Sequence, residues 1–246
     1  MQTYIVAGIA SCLLTIGVAA SAADKGGAST KPATEHGWTD LAKWPDLQGG
    51  MWLPVRGPRG SAEPAPVYVP TVAAKVAAMG PIDPGSLGNA NCEPLDGPFE
   101  RIREFFYSKD VIFIMADEDY LSVRFIYMDG RKHGDPDPSY YGHSVGHWEN
   151  DTLVVDTIGF LPQVTLAPRV PNEGAMQAVE RFRLIGKDRL QYQITLTDPK
   201  VLAAPFTRTI TYTLDRQSHV QEAECSQNNR NRDVDGKEHV DLTPPE

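Results

Sequence analysis

Residues 140–160 read YYGHSVGHWENDTLVVDTIGF, and this stretch decides the fold because it is a hairpin with a legible turn. Asn150 and Asp151 are residue types that accept the positive φ a two-residue β-turn requires, and apolar residues flank them on both sides. With those two as the loop, Trp148 faces Leu153, His147 faces Val154, Val145 faces Asp156 and His143 faces Ile158. Side chains alternate between faces with period two, so His143, Val145, His147, Val154, Asp156 and Ile158 share one side. His143 and Asp156 are then diagonal neighbours, within reach of each other. The stretch therefore predicts a His and Asp pair on one face of a β-ribbon.

Working outward, β-branched and aromatic runs at 104–116 and 120–128 are separated by Asp117-Glu118-Asp119 and read as a hairpin. Downstream, 179–184 and 189–197 form a second, and 207–214 with 219–226 a third. A loop of about sixteen residues with three prolines follows Phe160, long enough to act as a lid. Residues 71–79 (TVAAKVAAM) form one short helix stopped by Gly80-Pro81, with Val72, Val76 and Met79 on its docking face. Eight or nine antiparallel strands in sequential hairpins escape exposed edges most simply by closing. The expected fold is all-β, an antiparallel up-and-down, lipocalin-like barrel of 8–9 strands with one short helix; a two-sheet sandwich is the alternative. Gly50-Met51-Trp52 resembles the opening of lipocalin-type barrels, where the Trp plugs one end.

The first charged side chain is Asp24, and the apolar run before it ends in Ala20-Ser21-Ala22, a signal-peptidase pattern. Ile9-Ala10-Ser11-Cys12 also resembles a lipoprotein cleavage box. The expected organisation is a signal peptide at 1–22, a lead-in at 23–45, a barrel domain at 46–230 and a polar tail at 231–246, with a periplasmic or secreted location. Removing the leader leaves Cys92 and Cys225, which an oxidising compartment would pair unless both stay as free thiols. Their bridge would close a loop of about 130 residues, valued at roughly 4 to 5 kcal/mol by chain entropy. A net charge of −9 without a basic stripe argues against nucleic acid and anionic membranes as partners.

Parity places further candidates. Glu180 shares a face with Phe182 and Leu184, and Arg124 shares one with Ile126 and Met128, which makes Arg124 the natural cation for a buried Glu180. Tyr127 and Tyr192 are placed to donate phenolic hydrogen bonds into a cavity. The catalytic set expected from these residues is His143 as general base, Asp156 orienting it, and Arg124 with Glu180 near the developing charge. Tyr127, Tyr192, His147 and Trp148 are the substrate-binding candidates. Each has a plainer reading as a satisfied structural group, and Glu180 with Arg124 is equally readable as a structural ion pair. No metal is expected, because the Cα atoms of His143 and His147 stand about 13 Å apart along a strand. Gly142-His143-Ser144-Val145-Gly146 matches the nucleophile-elbow wording, but the strand continues to Trp148, where an elbow needs a turn into a helix.

GHSVGHWENDTLVVDTIGF, together with RFIYMDGR (124–131), VERFR (179–183), LTDPK (196–200) and ECSQNN (224–229), resembles a group of secreted bacterial proteins. Most of that group have no assigned activity, and their usual wording is GHSIGRWEGDTLVVDTTGF. The resemblance runs from about Asp46 to Asn229 and implies a signal peptide and a lipocalin-like barrel. This chain departs from it at His147, where Arg is commoner, and at Asn150, where Gly is commoner. Two functions stay open: an exported, cofactor-independent enzyme of the lyase, dehydratase, decarboxylase or isomerase type, acting on a small, partly apolar and possibly aromatic molecule; or a small-molecule carrier without turnover. A purely structural envelope domain is a third reading.

Overall fold

The computed structural model describes residues 45–57, 65–80, 99, 102, 104–116, 121–167, 170–221, 231–234 and 237–240, the last two segments as backbone only. All belong to one compact unit of the chain, Ala33–Glu246. The expected leader and the Cys92–Cys225 pairing lie outside the described residues.

Nine strands form one nearly closed, barrel-like sheet in the order β1-β11-β10-β9-β6-β5-β4-β3-β2. They are β1 (Met51–Pro54), β2 (Glu104–Ser108), β3 (Val111–Ala116), β4 (Ser122–Tyr127), β5 (His143–Glu149), β6 (Thr152–Ile158), β9 (Gln177–Gly186), β10 (Arg189–Thr197) and β11 (Phe206–Asp215). Two small ribbons stand apart: β7 (Thr165–Ala167) with β8 (Val170–Pro171), and β12 (Asn231–Val234) with β13 (Lys237–Val240), the latter inside the expected polar tail. The helix, α1 (Pro70–Ala78), begins on Pro70, whose missing N–H costs nothing in a first turn, and buries Val72. No helix among the described residues is long and apolar enough to cross a membrane.

The β5–β6 register is the one the turn dictates, with Trp148 opposite Leu153, Val145 opposite Asp156 and His143 opposite Ile158. Asn150 carries the positive φ, at 56°. Three details of the chain's path differ from the sequence reading. Residues 104–116 are two strands, because Asp110 takes φ 60° and turns the chain inside the aromatic run. β4 and β5 are parallel, the one such pair in the sheet. Segment 128–142 between them is long enough for the crossover that a parallel pair needs. Residues 219–221, expected to open a final strand, lie outside any strand; residues 222–226 are not described. Both edges of β11 are already taken, by β10 and by β1. Asp215 accepts bonds from Gln217 N and Ser218 Oγ, which turns the chain towards β2 instead.

β1 and β2 are the two ends of the sheet, and side chains join them. The Tyr107 hydroxyl on β2 donates to the Pro45 carbonyl and accepts from Leu47 N, while Tyr107 N donates to Gln48 Oε1. Burial pushes the Tyr107 pKa up, so the phenol stays a donor. On the same edge Glu104 accepts from Val220 N at 2.6 Å and contacts His219 Nδ1 at 3.2 Å. The interior holds Trp52, whose Nε1 donates to the Leu47 carbonyl at 2.8 Å. A chain of rings crosses it: Phe105 to Phe182 at 5.6 Å, Phe182 to Tyr192 at 5.0 Å, and Tyr192 to Tyr212 at 6.2 Å between centroids. The long segment after Phe160 is packed down as part of the fold, with Val164, Val170 and Met176 buried. Asn172 ties it by donating to the carbonyls of Leu161 and Val164.

Candidate functional site

The sheet sorts the expected site residues onto two opposite faces. Along β5 and β6 the inward positions are Ser144, Gly146, Leu153, Val155 and Thr157, all buried. His143 and Asp156 have the other parity and look outward, both partly exposed. The expectation that they share an enclosed interior with Arg124 and Glu180 is therefore corrected: a backbone layer separates the two pairs. Both faces of this hairpin carry apolar residues, so alternation alone did not mark the core.

The inner set is a closed polar network. Arg124 is bound to both carboxylate oxygens of Glu180, its Nη1 donating to Oε1 at 3.0 Å, and its Nη2 also donates to Thr157 Oγ1 at 2.8 Å. Its Nε donates to Ser144 Oγ at 3.0 Å, and the Tyr192 hydroxyl donates to Glu180 Oε1 at 2.9 Å. Burial first, and then the Glu180 carboxylate, push the Tyr192 pKa up, so that hydroxyl keeps its proton. Five adjacent strands, β4, β5, β6, β9 and β10, are cross-linked by these side chains. Arg124 and Ser144 in particular strap the parallel β4–β5 seam, where only two residue pairs are in register. The expected partnership of Glu180 with Arg124 is present, as an ion pair shut away from solvent. Trp148 shares this inner parity and packs against the core.

The outer set is assembled by the loop between β4 and β5, residues 128–142. The chain leaves β4 through Asp129-Gly130-Arg131 and returns to β5 through Gly142, whose φ of 61° and close approach to the Ile158 carbonyl leave no room for a Cβ. Between them the loop is pinned by Ser139 N to the Gly159 carbonyl and by Leu161 N to the Ser139 carbonyl, each 2.9 Å. It lays His133 between the expected partners. His133 Nδ1 and His143 Nδ1 share a hydrogen bond of 2.9 Å, and His133 Nε2 stands 3.6 Å from Asp156 Oδ2. Asp156 is held on its other oxygen by Gln177 Nε2, from β9, at 2.8 Å. Tyr127 stacks on His143 with centroids 5.2 Å apart, and the Arg131 guanidinium lies 3.9 Å from the Tyr127 centroid. Arg131 is itself held by both oxygens of Asp129, which lowers the Asp129 pKa.

This geometry favours one proton arrangement, with His133 Nε2 buried 3.6 Å from Asp156 and making no hydrogen bond of its own. A carboxylate beside His133 Nε2 favours the proton on that nitrogen, leaving Nδ1 as an acceptor. His143 must then donate from Nδ1, so its Nε2 is a bare lone pair. No hydrogen-bond partner for that nitrogen is found among the described residues. Burial first, and then the nearby His133 and Arg131, lower the His143 pKa, which keeps the imidazole neutral and its lone pair free to accept a proton. A proton taken up at Nε2 can be passed along the Nδ1–Nδ1 bond, leaving the cation on His133 beside Asp156.

His147 takes no part: it is exposed on the surface with Nε2 3.2 Å from Glu149, which also binds Arg181. Sequence reasoning weighed His133 only as a metal ligand beside His143 and His147, and did not place it, Gln177 or Arg131 in this set. Gln177 is on the strand next to Asp156, two residues along β9 from its direct partner Val179, and would follow from the β6–β9 pairing. His133 had no such signal, because loop residues obey no period. Among the described residues no group of three or more His, Cys, Asp or Glu is placed to hold a metal ion. Comparison with family models, with curated proteins and with solved structures gives no match to this chain.

Proposed function

We propose that this protein is an exported, cofactor-independent enzyme that removes a proton from a small, partly apolar organic substrate, with His143 as the base. The reaction class is that of a lyase, dehydratase, decarboxylase or isomerase. The observation that carries the reading is the line Asp156, His133, His143, in which a carboxylate stands 3.6 Å from one imidazole and that imidazole is hydrogen-bonded to the next. Such an arrangement has a catalytic use, because the charge gained at His143 is delocalised towards an anion without leaving the site. General-base catalysis of this kind contributes about 10² to 10⁴ in rate. Gln177 supports the set by fixing the free oxygen of Asp156.

The carrier reading has less behind it. A lipocalin-like ligand would occupy the barrel interior, where this chain stacks Phe182, Tyr192 and Tyr212 around a paired Arg124 and Glu180.

The test is deuterium uptake at the carbon next to the carbonyl of 4-phenylbutan-2-one, followed by proton NMR in D2O. Removal of the proton leaves an enolate, and solvent returns a deuteron to the same carbon. Wild-type protein is expected to accelerate this above buffer, and His143→Asn to lose about a hundredfold or more of the acceleration. Equal rates in the two proteins, or a wild-type rate no faster than buffer, overturn the proposal.

A further inference from the structure

Acid–base groups alone do not choose a substrate, and the surface beside them is unusual. Outward side chains of β3 and β4 are Val111, Phe113, Met115, Val123, Phe125 and Tyr127, none of which carries a charge. Phe125 is 49% exposed and Phe106, on β2, is 41% exposed. Pairing aligns them in one row across three strands, Phe106 opposite Phe113 and Phe113 opposite Phe125, and the Phe113 and Phe125 rings meet edge to face at 5.2 Å. Contiguous apolar surface of this kind, left open on a folded chain, marks a place where something binds.

The row runs into the proposed site without a break. Tyr127 follows Phe125 on the same face of β4, roughly 7 Å along the strand, and its ring is the one stacked on His143. Arg131 covers Tyr127, so the open rings are those of Phe125, Phe113 and Phe106. We infer that these phenylalanines seat the aromatic part of the substrate, an uncharged ring system whose reacting carbon lies on a side chain that reaches past Tyr127 to Nε2 of His143. The inference rests on the reading of His143 as a base. It adds the substrate class: the row of Phe106, Phe113 and Phe125 itself holds no charged side chain to pair with a charged body, and a single ring lying on Phe125 falls short of His143, so the reacting atom must stand off the ring.

Binding and turnover separate the two ideas. Saturation-transfer NMR would compare 4-phenylbutan-2-one with its saturated analogue, 4-cyclohexylbutan-2-one, on wild-type protein, His143→Asn, Phe125→Ala and Phe113→Ala/Phe125→Ala. Wild type and His143→Asn are expected to prefer the aryl ketone by between about two- and tenfold, the range for an aromatic contact of 0.5–1.5 kcal/mol. Phe125→Ala should reduce that preference and the double variant abolish it. Phe125→Leu, which preserves apolar area but not the ring, should behave like Phe125→Ala; circular dichroism confirms that each variant is folded. No aryl preference in wild type, or a preference that survives in the double variant, overturns the inference. So does sedimentation showing a wild-type dimer that Phe125→Ala dissociates, which would give the face to a second copy of the chain. Aryl preference without any deuterium uptake would leave the platform standing and remove the base.

Discussion

Replacing Glu180 by Gln tests whether the interior polar network is a structural lock. Glu180 is 0% and Arg124 5% exposed, and among the described residues the carboxylate is the only anion bound to that guanidinium. Glutamine keeps the shape and removes the charge, so a buried cation is left without its counter-ion, a loss of about 3 to 5 kcal/mol. For a domain of this size each kcal/mol lowers Tm by about 2 to 4 °C, so the variant should melt roughly 6 to 20 °C below wild type. Removing the whole set should behave differently. Arg124→Met with Glu180→Leu deletes both charges, and Ser144 and Thr157, whose hydroxyls lie 3.0 Å apart, can satisfy each other. Tyr192 would still lose its acceptor, at about 1 to 3 kcal/mol, so Tyr192→Phe is needed to complete the replacement. The triple variant is expected within about 1 to 2 kcal/mol of wild type, or above it. Urea unfolding followed by circular dichroism measures both, with an unchanged m-value confirming two-state comparison. A loss below about 1 kcal/mol for Glu180→Gln, or a triple variant as unstable as the single, would refute the reasoning.

Because folding depresses the His143 pKa, the unfolded chain binds a proton there first, at about pH 6.5. Stability from this group is complete above that pH, falls as the pH drops, and levels off below the folded pKa; in His143→Asn the slope should be shallower, as read from urea midpoints across the range. Asn150→Val forces a β-branched residue to φ 56° and should cost about 1 to 2 kcal/mol, whereas Asn150→Gly should change stability little. Gly146→Ala places a methyl 2.6 Å from Met128 Sδ and 2.7 Å from Ile126 Cγ2, so it should cost about 1 to 3 kcal/mol, partly recovered by Met128→Ala.

What the sequence made legible is what is local. The β5–β6 register followed from Asn150-Asp151 and period two, since a two-residue loop leaves one pairing. The partnership of Arg124 and Glu180 followed from parity once the face each shares with apolar neighbours was taken as the core. The face of His143 did not follow, because Val145, Val154 and Ile158 on its side look as buriable as Leu153 and Val155 on the other. That choice is made by neighbours distant in sequence: once Arg124 and Glu180 are inside, Ser144 and Thr157 must turn in to satisfy the guanidinium, and His143 and Asp156 must turn out. The parallel seam was hidden for a similar reason, since it depends on which strand edge is still free.

That dependence also bears on the rigidity that the proposed relay requires. A base on the outside of a barrel is useful only if its partners hold it within a few tenths of an ångström. Ser144 and Thr157, the buried residues bound to Arg124, are sequence neighbours of His143 and Asp156 respectively. The ion-pair network therefore fixes the backbone directly beneath both ends of the relay, while Gln177 and the pinned 129–139 loop fix the side chains above it. Arg124 and Glu180, expected at the chemistry, act from the opposite face of the same strands by holding in place the backbone that carries His143. A variant that loosens the network while leaving the fold intact should then disturb the His133–His143 hydrogen bond before it disturbs the barrel, and imidazole nitrogen NMR would detect that change first.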